Sequence, residues 1–409
     1  MTSTLRGVAP AVATAFLLAG CSASADESDS AVISAPTSAA RVEAAGPTPR
    51  LAVTHDGGVT VLDAATLEAV DEFPLEGFTR LDPAGDGRHV LITAASRFAV
   101  LDTGAWTDQH GDHGHSYTAP PVLADWSFDA DGPGHVVTHA GVTVLFADGT
   151  GRIESFDPRE LAEGRPETRV EQTPEAHHGV AVALPGGGLV TTIGNEASRS
   201  GIVVLDRDRN EVTRNEQCPG VHGEAAAADG ALVFGCQDGV LVHRDGVITK
   251  VQSPDAYGRI GNQAGSDASP IVLGDYKTEP DAELERPQRV MLLDTVANRL
   301  TPVDLGTSYS FRSLGRGPQG EALVLGTDGA LHVIDPVTAT VTRTIDVVDA
   351  WTEPVRWQDP RPTLFVEGAT AYVTEPAATT LHAVDLTTGA VVASVELAEI
   401  PNEITGVSG

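Results

Sequence analysis

Histidine is concentrated in one part of this sequence. Eight of the 13 histidines lie between His110 and His222, and a second ligand type, the carboxylate, is abundant throughout the chain. Imidazole nitrogens bind zinc well and copper(II) or nickel(II) next, whereas calcium prefers oxygen ligands. The residue types in this segment therefore predict a metal site, with zinc as the first choice.

The stretch QHGDHGHSY carries the first candidate ligands. His113 and His115 are two residues apart, so in an extended segment both rings project to the same side, about 7 Å apart at their backbones. Asp112 adds a carboxylate beside them. These three residues are predicted to bind a metal ion, and the alternative interpretation is a polar surface loop.

Three further segments place histidine at the start of strand-like runs: GHVVTHAG with His135, EAHHGVAVAL with His177 and His178, and VHGEA with His222. Adjacent residues of a strand point to opposite faces, so one of His177 and His178 should face away from its neighbour. His222 and Glu224 are two residues apart and are predicted to share one face as an imidazole and carboxylate pair.

A short pattern recurs along the chain and predicts the fold. An apolar run ends in aspartate, a polar turn follows, and a second strand-like run begins. The eight aspartates are 39 to 55 residues apart, namely Asp63, Asp102, Asp157, Asp206, Asp245, Asp294, Asp335 and Asp385. This period is typical of four-stranded propeller blades. The sequence predicts an all-β protein, a β-propeller of eight four-stranded antiparallel blades, with seven blades as the alternative. The first strand of each blade would line a central channel.

The N-terminus has the pattern of a secretion signal. Residues 1–20 contain one charge, an apolar run and then LLAGC, which resembles the cleavage site of bacterial lipoproteins. We expect a lipidated Cys21 that anchors the protein on the outer face of the cell membrane. Residues 21–49 are small and polar and predict a flexible tether, and residues 50–409 are predicted to form the propeller.

Two cysteines remain in the predicted propeller, Cys218 and Cys236. An exported protein lies in a compartment that permits disulfides, so we expect these two residues to pair. Metal binding by Cys218, which is followed by His222, is the alternative.

Composition and motifs limit the function. The formal net charge of −31 argues against nucleic acid, whose phosphates require a basic surface. The chain has no P-loop, dinucleotide fingerprint, GxSxG elbow or HExxH motif, so we predict a protein that is not an enzyme. Two alternatives are an interaction scaffold and a metal-dependent hydrolase or lactonase.

Four segments occur along the chain in this order: HGDHGHSY, GHVVTHAGVTVLFADGTGRIESFD, EAHHGVAVAL and CPGVHGEA. On these segments the chain resembles the AztD family of exported zinc metallochaperones. The resemblance implies a β-propeller that binds zinc and delivers it to the solute-binding protein of an ABC-type zinc importer, and we expect a monomer. It implies zinc ligands among His113, His115, His135, His177, His178 and His222, with Asp112 and Glu224 as acidic ligands. The expected transfer mechanism is a mobile HGDHGH loop that closes over histidines fixed on rigid strands.

Overall fold

The computed structural model describes residues 41–409, and nearly all of their regular structure is β-strand. The predicted signal peptide, Cys21 and most of the predicted tether lie outside the described residues. Within residues 41–409 no helix is long and apolar enough to cross a membrane. The helical segments of this part are three short 3₁₀ helices, Pro158–Glu163, Pro185–Gly187 and Ala228–Gly230.

The strands, numbered in chain order, form one three-stranded sheet and eight larger sheets. The three-stranded sheet contains β1 (Val42–Ala44), β8 (Ala105–His110) and β9 (His113–Thr118). Sheet I contains β2 (Arg50–His55), β3 (Gly58–Asp63), β4 (Ala69–Pro74) and β36 (Ile404–Val407). Sheet II contains β5 (Thr79–Pro83), β6 (His89–Ala94), β7 (Arg97–Asp102) and β10 (Val122–Asp129). Sheet III contains β11 (Pro133–His139), β12 (Val142–Ala147), β13 (Arg152–Phe156) and β14 (Arg169–Gln172).

The remaining five sheets follow the same plan. Sheet IV contains β15 (Ala181–Ala183), β16 (Leu189–Gly194), β17 (Arg199–Leu205) and β18 (Glu211–Asn215). Sheet V contains β19 (His222–Ala227), β20 (Ala231–Cys236), β21 (Asp238–Arg244), β22 (Val247–Gln252) and the two-residue β23 (Gly258–Arg259). Sheet VI contains β24 (Gln263–Ala264), β25 (Ile271–Asp275), β26 (Arg289–Asp294) and β27 (Arg299–Asp304). Sheet VII contains β28 (Leu314–Arg316), β29 (Ala322–Leu325), β30 (Ala330–Asp335) and β31 (Thr340–Asp346). Sheet VIII contains β32 (Leu364–Glu367), β33 (Thr370–Glu375), β34 (Thr380–Asp385) and β35 (Ala390–Glu396).

This all-β arrangement of four-stranded antiparallel sheets is propeller-like. In sheets II to VIII the strands lie in chain order from a first edge strand to a fourth, and in sheet I the last strand of the chain, β36, takes the first position. The eight repeated aspartates all lie at or just after the end of the third strand of a sheet. Asp63, for example, accepts hydrogen bonds from the backbone N–H groups of Ala65 and Thr66, which stabilises the turn that follows the strand.

Apolar side chains pack between neighbouring sheets. Both faces of the inner strands are buried, so neighbouring residues of one strand contact different sheets. In β2, Leu51 packs in a cluster with Leu381 of sheet VIII, whereas Ala52 packs in a cluster with Val90 of sheet II. Sheet I therefore packs against both the last and the second sheet of the chain.

Two contacts between neighbouring sheets show that their first strands run in the same direction. Ala227 at the end of β19 forms a parallel bridge with Ser266, which follows β24. The Thr143 hydroxyl, beside the end of β11, donates a hydrogen bond to the carbonyl of Ala84, which follows β5, at 2.5 Å. We call the end where the first strands begin the entry side and the end where they finish the exit side.

The three-stranded sheet lies on the exit side. Strands β8 and β9 are an insertion between the third and fourth strands of sheet II, which explains the largest spacing between repeated aspartates. The guanidinium of Arg88, which follows β5, lies 4.0 Å from the centre of the Trp106 ring. The Thr107 hydroxyl donates to the carbonyl of Gly409, which follows β36, at 3.0 Å.

The two predicted disulfide partners are bonded. The sulfur atoms of Cys218 and Cys236 are 2.00 Å apart, and both residues are fully buried. The bond joins the segment that precedes β19 to the end of β20. It therefore fixes the backbone directly before His222.

Candidate metal centre

Three histidines from neighbouring sheets converge on the entry side. His135 is the third residue of β11, His178 precedes β15, and His222 is the first residue of β19. One ring nitrogen from each lies within 4.8 Å of the other two, and residues 41–409 contain no other group of three His, Cys, Asp or Glu side chains as close as this. We call these residues the three-histidine group.

Two of the rings are held by hydrogen bonds from their Nδ1 atoms. His178 Nδ1 lies 2.5 Å from a carboxylate oxygen of Asp148, and His222 Nδ1 lies 2.7 Å from the carbonyl oxygen of Gly261. Both partners are acceptors, so each Nδ1 carries the proton and each Nε2 has a free lone pair. The two Nε2 atoms are 3.1 Å apart, close to the roughly 3.3 Å that separates two nitrogens on one tetrahedral zinc.

Asp148, which orients His178, was not among the residues predicted from the sequence. Asp148 follows β12, and Ala147 pairs with Pro133 at the start of β11, so its side chain reaches the segment that carries His135. A Cβ atom at Gly134 would lie 2.3 Å from one Asp148 oxygen, so only glycine leaves room for the carboxylate. The sequence signal is weak because ADGT has the composition of an ordinary hairpin turn.

Glu224, a predicted ligand, is not in the three-histidine group. A β-bulge interrupts the regular alternation of β19, because His222 pairs with Gly235 while Glu224 pairs with Phe234. Burial and, to a smaller extent, repulsion by Asp82 raise the pKa of Glu224 to about 8. Its carboxyl group is therefore mainly protonated at neutral pH, and a protonated carboxyl is a poor zinc ligand.

His177, another predicted ligand, is also outside the group. Its ring is buried, with Nε2 2.9 Å from the Thr192 hydroxyl and Nδ1 3.0 Å from the carbonyl of Glu175. Both nitrogens are used by the protein, as in a structural histidine. The sequence predicted that one of the adjacent His177 and His178 would point elsewhere, and in the structure this one is His177.

The histidines of HGDHGH form a second, exposed group at the tip of the β8–β9 hairpin. The ring centres of His110, His113 and His115 are 5.3 to 6.4 Å apart. Asp112 contacts His113 at 3.2 Å, and Glu43 of β1 contacts His115 at 3.0 Å. We call these five residues the hairpin group.

The two histidine groups lie at different ends of the first strands. The hairpin packs on Arg88 and Gly409 of the exit side, whereas the three-histidine group lies where β11, β15 and β19 begin. This geometry contradicts the expectation that the HGDHGH loop closes over the strand histidines. Sequence spacing missed it because the side on which an inserted hairpin packs depends on tertiary contacts.

Burial favours the neutral form of two rings of the three-histidine group, those of His135 and His222. Burial, followed by the charges of Arg259, His178 and Arg199, lowers the pKa of His222 to about 4, against the opposing hydrogen bond to Gly261. Burial also lowers the pKa of His135 well below its ordinary value of 6.5. A cation can therefore bind these two rings at neutral pH without displacing a proton.

Comparison with known proteins adds a relative of stated function. The chain is 24% identical over 363 residues to the zinc chaperone AztD of Citrobacter koseri, across 86% of this chain and 84% of the relative. The crystal structure of Citrobacter koseri AztD superimposes with a TM-score of 0.78 at 23% identity, covering 89% of this chain and 99% of that chain. The resemblance to the AztD family is confirmed.

The likeness to solved structures, including the one above, concerns the fold alone. The structure of apo AztD from Citrobacter koseri gives a TM-score of 0.77 at 22% identity, over 88% of this chain and 98% of that chain. The dihydro-heme d1 dehydrogenase NirN gives 0.55 at 12% identity, over 88% of this chain and 75% of that chain. A shared fold at such identity does not transfer an activity. No protein-family model matches the sequence.

Asp148 should contribute to metal affinity through His178. In Asp148→Asn the ring loses its charged acceptor, and because partners of this kind raise ligand basicity and fix orientation, zinc affinity should fall about 10- to 100-fold. Competition titration with a zinc chelator measures the change. Asp245→Asn, on an exposed turn, is the matched control. Equal affinities in all three proteins would contradict the role assigned to Asp148.

Asp82 should make stability depend on pH. Burial, moderated by the charge of Arg80, raises the pKa of Asp82 from 3.8 to about 6. The folded state therefore keeps a proton that the unfolded chain loses, and the free energy of unfolding falls as pH rises through 6. Asp82→Asn should raise that free energy at pH 7.5 by roughly 1–2 kcal/mol, allowing for partial exposure, and by little near pH 4. Urea denaturation at both pH values measures this, and a gain that is equal at both would contradict it.

Proposed function

We propose that this chain is an exported zinc metallochaperone that holds a zinc ion on His135, His178 and His222 and delivers it to the solute-binding protein of an ABC-type zinc importer. The observation that carries the proposal is the three-histidine group, whose ring nitrogens approach within 4.8 Å. The description of the Citrobacter koseri relative as a zinc chaperone supports it.

The donor set favours zinc among the common divalent ions. Three neutral imidazoles from three separate segments match the three-histidine zinc sites of other proteins, in which a fourth position stays open. Calcium and magnesium prefer oxygen ligands, and the two predicted oxygen donors, Asp112 and Glu224, are outside this group. Copper(II) and nickel(II) bind imidazole but favour square-planar geometry.

A closed eight-bladed propeller would account for the rigidity of the site. The described residues contain eight apolar clusters. Seven lie between two sheets that are neighbours along the chain or, for sheets VIII and I, at its two ends, and one contains residues of sheets III, IV and V. The pairing of β36 with β2 supports closure of the ring. Ligands on strands packed on both faces change position little, so the site is preorganised for the ion.

The proposed location follows from the N-terminal pattern and the cysteines. Export and lipidation of Cys21 would place the protein on the outer face of the membrane, attached by the anchor alone, as a monomer. The Cys218–Cys236 disulfide supports this location because such bonds persist mainly in oxidising compartments.

The proposed transfer proceeds by ligand exchange at the open position. A three-ligand site lets an acceptor's ligand bind the ion before any protein histidine leaves, so no free ion is released. The hairpin group is exposed and carries three imidazoles with two carboxylates within contact distance. We assign to it a separate, more readily exchanging zinc site, because its side chains are less fixed than those on the strands.

Zinc binding by variants tests the proposal. Full-length protein freed of metal should bind zinc tightly, and combined substitution of His135, His178 and His222 by alanine should lower the affinity of the tight site more than about 100-fold. His113→Ala with His115→Ala should leave the tight site unchanged and remove a weaker one. Competition titration measures both.

His139→Ala is the matched control, because His139 lies on the same strand as His135 but bonds through Nδ1 to the carbonyl of Ala183 at 2.6 Å. Tight binding that survives loss of the three-histidine group would overturn the assignment. Zinc transfer to the purified solute-binding protein then tests delivery, and failure of transfer from a zinc-loaded protein would contradict that part alone.

A further inference from the structure

Two arginines beside the three-histidine group have no acidic partner. Arg199 begins β17 and Arg259 ends β23, and within residues 41–409 neither guanidinium has a carboxylate oxygen within the 4.0 Å of a salt bridge. The chain has 57 acidic and only 26 basic residues. Other arginines of the described residues, such as Arg97 and Arg299, are also unpaired but lie exposed at the surface, whereas Arg199 and Arg259 are half-buried beside the three-histidine group.

Both arginines contact the backbone that holds the histidines. The Arg259 guanidinium lies over Gly261, where a Cβ atom would be 2.4 Å from one of its nitrogens. The Gly261 carbonyl is the acceptor of His222 Nδ1 at 2.7 Å. One Arg199 nitrogen lies 3.5 Å from the carbonyl oxygen of His178.

The two guanidinium groups are also close enough to repel each other. Burial and then the charge of Arg259 lower the pKa of Arg199, and the charge of Asp148 opposes them to a smaller extent. Both also act on His222, whose pKa they lower together with burial. The contacts with Gly261 and with the His178 carbonyl thus place a region of two positive charges at the edge of the histidines, which the single carboxylate of Asp148 balances only in part.

Such a region is unfavourable for a metal cation unless an anion joins the site. Zinc on three neutral imidazoles keeps its charge of two, and two further positive charges nearby would lower its affinity. An anion bound to zinc and to the arginines removes that repulsion. The guanidinium fork matches the two oxygens of a carboxylate, which is also a common zinc ligand.

The residues of this chain do not supply that carboxylate. The carboxylate of Asp148 accepts the hydrogen bond of His178 Nδ1, on the side of the ring away from Nε2. Glu224 lies beyond the bulge and outside the group. None of the carboxylates described in residues 41–409 is therefore placed to fill this position.

We infer that the fourth zinc ligand is a carboxylate from outside the propeller, held by Arg199 and Arg259, so that these arginines select acceptors that present a carboxylate. The inference rests on the proposed function. In the exchange, the bond between zinc and a water oxygen breaks and a bond to a carboxylate oxygen forms, with no change of oxidation state and no proton transfer. The carboxylate comes either from a free small molecule or from a side chain of the acceptor.

Cobalt(II) in place of zinc tests whether a free small-molecule carboxylate binds at this position. The visible absorption of cobalt(II) on the three-histidine group should change on titration with acetate, and the acetate dissociation constant should rise at least about tenfold in Arg199→Gln with Arg259→Gln. Arg97→Gln with Arg299→Gln changes the net charge equally at two exposed positions and should leave acetate binding unchanged.

Zinc removal by chelators tests whether a carboxylate carried by an acceptor binds at this position. Nitrilotriacetate, which carries carboxylates, should withdraw zinc about tenfold more slowly from the double arginine variant than from the wild type, while neutral terpyridine should withdraw it at the same rate from both. An arginine effect on both acetate and nitrilotriacetate supports a general carboxylate subsite, and an effect on nitrilotriacetate alone supports an acceptor side chain as the source.

Three results would overturn the inference. One is an acetate response and a rate of zinc withdrawal by nitrilotriacetate that are both the same in the double arginine variant as in the wild type, and another is an effect with inorganic phosphate but not with either carboxylate. The third is equal slowing with terpyridine, which would indicate a distorted site. Absence of any cobalt(II) binding that depends on the three histidines would instead refute the proposed function, so the two failures are distinguishable.

Discussion

Packing between sheets III, IV and V is the constraint on which the candidate site depends. His135, His178 and His222 are more than forty residues apart in sequence, and they meet only because the first strands of these sheets lie side by side. Val180 and Val182 of sheet IV pack with Val137 of sheet III and Phe234 of sheet V in one buried cluster. A buried core of this kind behaves as a close-packed solid, so it holds the three rings at a separation suited to one ion.

Hydrogen bonds and the disulfide then fix the orientation of individual rings within this packing. Asp148 orients His178 from sheet III, the Gly261 carbonyl orients His222 from the segment before sheet VI, and the disulfide fixes the backbone before His222. The two hydrogen-bond acceptors, Asp148 and the Gly261 carbonyl, each come from a different sheet or connection than the ring they hold. Distortion of one interface would therefore disturb both a ligand and the group that positions a neighbouring ligand.

The sequence predicted the repeated elements and part of the site. The repeated aspartates correspond to the ends of the third strands, and three of the predicted ligands, His135, His178 and His222, converge. The rest depended on features with no sequence period. The bulge at Gly223 requires knowledge of the pairing with β20, the role of Asp148 requires the contact across β11 and β12, and the side on which the β8–β9 hairpin packs is set by Arg88 and Gly409. Arg199 and Arg259 carried no sequence signal, because only the fold shows that they lack acidic partners.

Separation of the two histidine groups changes the account of how metal would move. A loop that closed over the strand ligands would couple capture and release at one place, whereas zinc sites on the entry and exit sides would bind and exchange the ion independently. Anomalous diffraction at the zinc absorption edge, from crystals of the zinc-loaded protein, tests the central claim most directly. The predicted result is a peak about 2.1 Å from one ring nitrogen each of His135, His178 and His222. A zinc peak at the hairpin group with none between these three rings would contradict it.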